Sequence, residues 1–299
     1  MMLIPITLDC CPMESIHGYV RLIRLERALS TVLGVIFTGL IVGDLTTFQP
    51  EYAIACTVVF LSAVANFTLN DYSDVDIDRT NHRTDRPLAQ GQISPRTALL
   101  IVVASSSLAL ALSLFLNPIP QALILVGLPV SLAYNLTLKR HLLLKNTFTG
   151  LANVGVALMG ALTSDAILEP LAIYIAVIGF FFSLSYEAML DIADAEGDRI
   201  HGVETLPNRF GPRKTALFSI LIGAGAVIAN PLPFFVHVDP RLFRDYLFLA
   251  LILLPVFNRL RISRSLLRDQ SPENIFNLKR RAFRNLQLGC LCYLVGFLV

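Results

Sequence analysis

The sequence NDYSDVDID at 70–78 closes a run, 52–69, that is almost wholly apolar. Such a run has about the length of one bilayer-spanning helix. Asn70, Asp71, Asp74, Asp76 and Asp78 therefore stand where a hydrophobic helix leaves its apolar surroundings. Carboxylates crowded in this way repel one another unless a cation lies among them. On a helix, positions i, i+3 and i+7 share a face, so Asp71, Asp74 and Asp78 converge, and Asn70 lines up with Asp74 and Asp78 in i+4 steps. Asp76 falls off that face and reads as a solvated bystander.

Apolar runs recur along the rest of the chain. Of 299 residues 55% are hydrophobic and 15% charged, against about 25% charged in a soluble domain. The fold expected is an all-α integral membrane protein, with nine transmembrane helices bundled around a central cavity at 28–46, 52–70, 97–116, 120–138, 147–164, 169–190, 214–236, 242–258 and 284–299. Residues 1–27 form a cytoplasmic amino-terminal segment and 28–299 a single membrane domain. Arg21 to Arg27 has the spacing of an amphipathic lead-in at the membrane surface. The amino terminus lacks the features of a removable signal peptide, so the first span is expected as a retained anchor.

A net charge of +2, with no basic block interleaved with aromatics, argues against nucleic acid as a partner. Cys10, Cys11, Cys56, Cys290 and Cys292 lack CxxC spacing and an accompanying His pair, and so suggest neither zinc nor a disulfide framework. Of the 24 Lys and Arg, 22 fall before the first span or in the even-numbered loops, and only Arg241 and Arg244 fall elsewhere. The positive-inside rule then puts the amino terminus, the even loops and the acidic stretch on the cytoplasmic face. A multi-pass protein of the cell (plasma) membrane is expected.

The acidic stretch has a partner. Asp71, Asp74 and Asp78 recur as Asp191, Asp194 and Asp198, each 120 residues on and again at the end of an apolar run. The helix starts that follow also match, Pro95-Arg-Thr-Ala-Leu99 against Pro212-Arg-Lys-Thr-Ala-Leu217. This predicts an internal pseudo-repeat of a four-helix unit, with the two clusters facing one another. A single DxxD is usually a solvated loop; two at matched helix ends are a site. Hard divalent ions take oxygen ligands, and Mg²⁺ keeps positions open for substrate phosphates.

Cations flank both clusters. Arg79, Arg83 and Arg86 follow the first; Arg199, Arg209 and Arg213 follow the second; Tyr134, Lys139 and Arg140 close the fourth span on the same side. Each alone is ordinary topology charge, but as a ring around two acid groups they suit a diphosphate. Glu187, one turn before Asp191, extends the second acidic face, and either acid is placed to act as a base. Asn135, Asn146 and Asn153 read as interhelical hydrogen-bonding groups. Phe180, Phe181, Phe182 and Tyr186 are too closely spaced to share one face.

The motifs Asn70-Asp71-x-x-Asp74-x-x-x-Asp78, Arg83-Thr84-x-Arg86-Pro87-Leu88-x-x-Gly91, Tyr134 with Lys139, and Asp191-x-x-Asp194-x-Glu196-Gly197-Asp198 resemble, in that order, those of the UbiA superfamily of intramembrane prenyltransferases. The likeness spans roughly 20–299 and includes the nine-helix count. It implies an enzyme that binds a polyprenyl diphosphate through two Mg²⁺ ions and transfers the prenyl group to a second substrate. By position, Asn70, Asp71, Asp74 and Asp78 would hold one ion and Asp191, Asp194 and Asp198 the other. Arg24, Arg79, Arg83, Arg86, Lys139 and Arg209 would hold the diphosphate, with Asp191, Lys139 and Tyr134 as catalytic residues.

The acceptor is less sharply marked. Arg83-Thr84-x-Arg86-Pro87-Leu88 looks like members that prenylate aromatic quinone precursors, and this is the reading favoured. The stretch from Asp194 to Gly202, with Glu204-Thr-Leu-Pro207, looks like members that alkylate geranylgeranylglyceryl phosphate in archaeal ether-lipid synthesis, which is the alternative. A divalent-cation or phosphate transporter would also carry acids on repeated helices, but with ligands near the bilayer midplane and not at helix ends.

Overall fold

A computed structural model describes residues 16–298 apart from 44, 46, 48, 81, 82, 138–143, 166 and 201. A short α1 (Ile16–Leu22) leads into α2 (Leu25–Val42), α3 (Pro50–Ser73), a single-turn α4 (Val75–Thr80), α5 (Pro95–Ser113), α6 (Pro118–Thr137) and α7 (Leu144–Leu162). The second half holds α8 (Pro170–Ile200), the short α9 (Leu206–Phe210), α10 (Pro212–Ala229), the short α11 (Leu232–Phe235), α12 (Tyr246–Arg268) and α13 (Pro272–Leu298). Among the described residues every regular element is helical.

Proline opens six of the long helices, at Pro50, Pro95, Pro118, Pro170, Pro212 and Pro272. Its fixed φ suits the first helical position, and its missing N–H would have found no partner there. Ser94 adds a side-chain cap to α5, accepting from the Thr97 amide at 3.1 Å, and Asp245 caps α12 through the Leu247 amide at 2.8 Å. Gly43, at φ 88°, closes α2 in the left-handed conformation.

Seven helices among the described residues are long and apolar enough to cross a membrane: α2, α3, α5, α6, α8, a unit running through α10 and α11 (Pro212–Phe235), and α12. Their outer faces carry large exposed apolar side chains such as Leu100, Val103, Val126 and Leu221, which would be costly in water and are at home in lipid. The expected spans at 147–164 and 284–299 fall largely on α7 and α13, which do not reach that mark. Asn146, Thr147, Thr149 and Asn153 dilute α7, and Lys279, Arg280, Arg281 and Arg284 occupy the first half of α13.

The helices pack as two groups. α3 lies against α5, α6 and α2, and α2 against α7; α8 lies against α10 and α13, and α12 against α13. The α7–α8 contact joins the groups, and α2 also touches α8 and α13. Small residues set the closest approaches. A Cβ on Gly160 of α7 would fall against the Val35 carbonyl oxygen of α2 and lie 2.9 Å from Thr38 Cβ. The Tyr52 hydroxyl of α3 donates to the Gly160 carbonyl at 2.8 Å, tying α2, α3 and α7 together.

Three expected boundaries are corrected. The eighth span, 242–258, continues as helix to Arg268, and the ninth begins at Pro272, so only 269–271 separate α12 from α13. The basic residues between 259 and 284 are thus on helices and not in a loop. Buried Ile262, Leu266, Ile275 and Leu278 hold this hairpin together beyond the apolar stretches, so hydropathy marks where lipid ends and not where the helix does. Likewise the sixth span, 169–190, runs on to Ile200 and carries Asp191, Asp194 and Asp198 within a helix.

Candidate active site

The first acidic stretch folds as the spacing requires. α3 ends at Ser73, Asp74 sits at the joint (φ −104°, ψ 7°), and α4 continues at once, with the Asp74 amide bonded to the Asn70 carbonyl and the Asp78 amide to the Asp74 carbonyl. Asp71 and Asp78 are buried. The Asn70 amide donates to Asp74 at 3.1 Å, one turn along the same face. Asp76 is largely exposed and pairs with Arg79 at 3.4 Å.

The second stretch, on α8, comes to meet it. Arg83 Nη1 donates to Asp194 Oδ1 at 3.1 Å while its other nitrogens hold Asp85 at 2.8 and 3.0 Å. One guanidinium therefore links the loop after the first cluster to the second cluster. Asp191 and Asp198 are both buried. Asn146, near the start of α7, donates to Asp191 Oδ2 at 2.9 Å. This is an interhelical hydrogen bond, as expected of Asn146, and its partner is an acid of the second cluster.

Asp71 is held from two sides. Arg86 Nη1 donates to its Oδ1 at 2.6 Å, and Arg24 Nη2 donates to the same oxygen and, at 3.0 Å, to Asn70 Oδ1. Arg24 does so from the kink between α1 and α2, with φ 47° and ψ 54°, and lies 5.2 Å from the Phe67 ring centroid. Arg86 Nε is also 3.6 Å from Asp78. Burial pushes the Asp78 carboxyl up to about 6; Arg86 opposes this, and the neighbouring charge of Asp71 adds to it. Burial works against ionised Asp85 too, but the hydrogen bond and charge of Arg83 hold that carboxyl well below the usual range.

The other expected residues are placed as follows. Tyr134 of α6 is buried, with its ring stacked on Phe148 at 4.1 Å. Arg79 is turned outward to Asp76 and the Ala89 carbonyl, and Arg209 lies over the Phe210 ring at 5.6 Å. Neither joins the group around Asp71 and Asp194. Lys139 falls outside the described residues. Phe180 packs on Gly150, while Phe182 turns toward Arg259 and stacks on Tyr186 at 5.8 Å, so the four aromatics do not share one face. The sequence reading missed Lys279, whose ammonium and the Arg83 guanidinium lie 5.9 and 5.8 Å from one Phe276 ring centroid. Burial, then Arg27 and Arg83, lower its pKa to about 8, with Asp85 opposing.

A cavity of about 100 Å³ lies apart from these acids, between α2, α8, α10, α12 and α13, with Phe37, Phe182, Arg259 and Tyr293 on its wall. Among the described residues no three Asp, Glu, His or Cys side chains stand close enough together to hold one metal ion; arginines neutralise the acids here. The donor set nevertheless suits a hard cation. Asp71 Oδ2 and Asn146 Oδ1 are buried oxygens without a hydrogen-bond partner, one in each acidic group.

Fold and site together define a helical, multi-pass membrane protein with a charged site where two acidic helix ends meet. The profile of the UbiA prenyltransferase family matches residues 32–286. The chain belongs to that family and is a prenyltransferase. The digeranylgeranylglyceryl phosphate synthase of Methanosarcina barkeri is 32% identical over 250 residues, 80% of this chain and 85% of that protein. That of Sulfolobus acidocaldarius is 29% identical over 221 residues, 74% of this chain and 79% of that protein. A solved UbiA homologue from Archaeoglobus fulgidus, bound to DMAPP and Mg²⁺, shares the fold with a TM-score of 0.65 at 21% identity, over 92% of this chain and 99% of that one.

Proposed function

We propose that this chain transfers a prenyl group from a polyprenyl diphosphate to the free hydroxyl of geranylgeranylglyceryl phosphate, in a Mg²⁺-dependent reaction. The observation that carries the acceptor is the sustained likeness to digeranylgeranylglyceryl phosphate synthases over 74% and 80% of the chain. It reverses the order of the two acceptors favoured by the sequence alone, where the Arg83-Thr84-x-Arg86 segment tilted the reading toward an aromatic one. The Asp194 to Gly202 stretch agrees with the lipid acceptor.

The diphosphate reading rests on the cations interleaved with the acids. Arg83 reaches into the second acidic group, and Arg86 and Arg24 reach into the first; each can exchange a carboxylate partner for a phosphate oxygen. On this reading Asn70, Asp71, Asp74 and Asp78 hold one Mg²⁺ and Asp191, Asp194 and Asp198 a second. Bound there, the ions would neutralise the leaving diphosphate as the allylic C–O bond breaks. Asn146 orients Asp191 through its 2.9 Å hydrogen bond, and Asp191 would take the proton from the acceptor hydroxyl. The apolar helix walls keep water from the reacting carbon. The same reading counts α7 and α13, of 19 and 27 residues, as the remaining two of nine spans, and α3 and α8 as equivalent helices of a duplicated unit.

The test is a screen of membranes containing this protein with labelled geranylgeranyl diphosphate against geranylgeranylglyceryl phosphate, 4-hydroxybenzoate and dihydroxynaphthoate. The expected product has the mass of the doubly alkylated glyceryl phosphate, and EDTA abolishes its formation until Mg²⁺ is restored. A prenylated aromatic product would overturn the acceptor, and turnover unaffected by EDTA would overturn the metal.

A further inference from the structure

The diphosphate site leaves Lys279 without a task. Lys279 lies on the part of α13 that precedes its apolar half, next to Leu278 and one turn after Ile275, whose side chains are fully buried. Those anchors fix the helix face and turn Lys279 inward, unlike exposed Arg280. Its Nζ lies 5.9 Å from the Phe276 centroid, and the Arg83 guanidinium lies 5.8 Å from the same centroid. Arg83 in turn binds Asp194 at 3.1 Å. Among the described residues Lys279 makes no ion pair and no hydrogen bond, whereas Arg24, Arg83 and Arg86 are all engaged with carboxylates.

A partly buried ammonium placed among cations and without a carboxylate of its own calls for an anion. That anion would stand beside the diphosphate site, at the end of the bundle where the helices lose their apolar character. An acceptor that carries a phosphate on an isoprenoid tail has this requirement: the phosphate must stay outside the hydrocarbon while its hydroxyl approaches the prenyl carbon. We propose that Lys279, seated on Phe276 beside Arg83, is the binding group for the phosphate of the acceptor, and so selects a phosphorylated lipid over an uncharged one. The proposal rests on the lipid-acceptor reading for its substrate.

The test compares binding of labelled geranylgeranylglyceryl phosphate and of geranylgeranylglycerol, the same lipid without phosphate, to full-length protein in nanodiscs. Wild type should prefer the phosphorylated lipid. Lys279→Met should weaken phosphorylated-lipid binding about tenfold or more, leave the alcohol unchanged, and leave affinity for Mg²⁺ and inorganic diphosphate unchanged; Lys279→Arg should recover most of the loss. Phe276→Leu, which removes the ring that seats the ammonium, gives the same comparison should Lys279→Met not fold. Equal affinity of wild type for the two lipids, or a preference untouched by both substitutions, overturns the subsite. Selective binding through Lys279 without prenylation of the lipid would leave the subsite standing and overturn the acceptor reading instead.

Discussion

At the scale of single residues, Asp71 is the point on which the site turns. It is buried, Arg24 and Arg86 share its Oδ1, and its Oδ2 is unpartnered. Its charge both balances two guanidinium groups and supplies a free hard oxygen. Asp71→Asn keeps the side-chain volume and removes the charge. Turnover should fall by about 100-fold or more, while the thermal transition remains cooperative; activity near that of wild type would take Asp71 out of the site. Asp85 offers a test with a defined sign. Because its folded pKa lies below its unfolded value, its pairing with Arg83 stabilises the protein above the ordinary carboxylate pKa of about 4 and loses that contribution as pH falls further. The difference in melting temperature between wild type and Asp85→Asn should be steady from pH 7 to 5 and shrink toward pH 3. A difference that widened on acidification would contradict the Arg83 pairing. Arg24 shows what sequence cannot display. An L residue at φ 47° is uncommon, and strain of this kind costs roughly 1–3 kcal/mol. The contacts with Asn70 and Asp71 offset it, and they exist only once α1, α2 and α3 have been assembled.

At the scale of helices, periodicity and charge exposed some features and hid others. The carboxylate spacing was legible because i+4 hydrogen bonding carries on through the joint at Asp74, and the starts of α5 and α10 were legible because proline at the first position acts locally. Asn146 and Lys279 were not, since what marks them is a contact with Asp191 or with Phe276 and Arg83, decided by how α7 and α13 cross their neighbours. The α12–α13 extension was hidden for another reason: hydropathy falls at Arg259 while helical packing, carried by Ile262, Leu266, Ile275 and Leu278, does not. The helix crossings themselves can be tested at glycines. Gly160→Ala puts a methyl group against the Val35 carbonyl of α2, where backbone and not a flexible side chain must move. The expected cost is about 1–3 kcal/mol, seen as a lower melting temperature by circular dichroism. Gly155→Ala on the same helix meets nothing within 4 Å and should be neutral or slightly stabilising, since alanine is the better helix former. Equal effects at the two positions would mean that α2 and α7 are not in close contact.

At the scale of the whole molecule, charge and apolarity are separated along the bundle axis. The acidic groups, their arginines and the basic α12–α13 hairpin share one end, while Arg241 and Arg244 lie between α11 and α12 beside exposed His237. Lipid-facing apolar surface fills the length between. A bundle with this polarity should insert in one sense, with the basic end in the cytoplasm. Cysteine labelling tests the orientation. In a background with Cys10, Cys11, Cys56, Cys290 and Cys292 replaced, Ser271→Cys in the α12–α13 turn should react with a membrane-impermeant maleimide only in inverted vesicles. His237→Cys should react only in right-side-out ones. Ser271 and His237 are both exposed, so failure to label would not come from burial. The reverse pattern would place the acidic site on the outer face, and labelling of both positions from one side would mean that α12 does not cross the membrane.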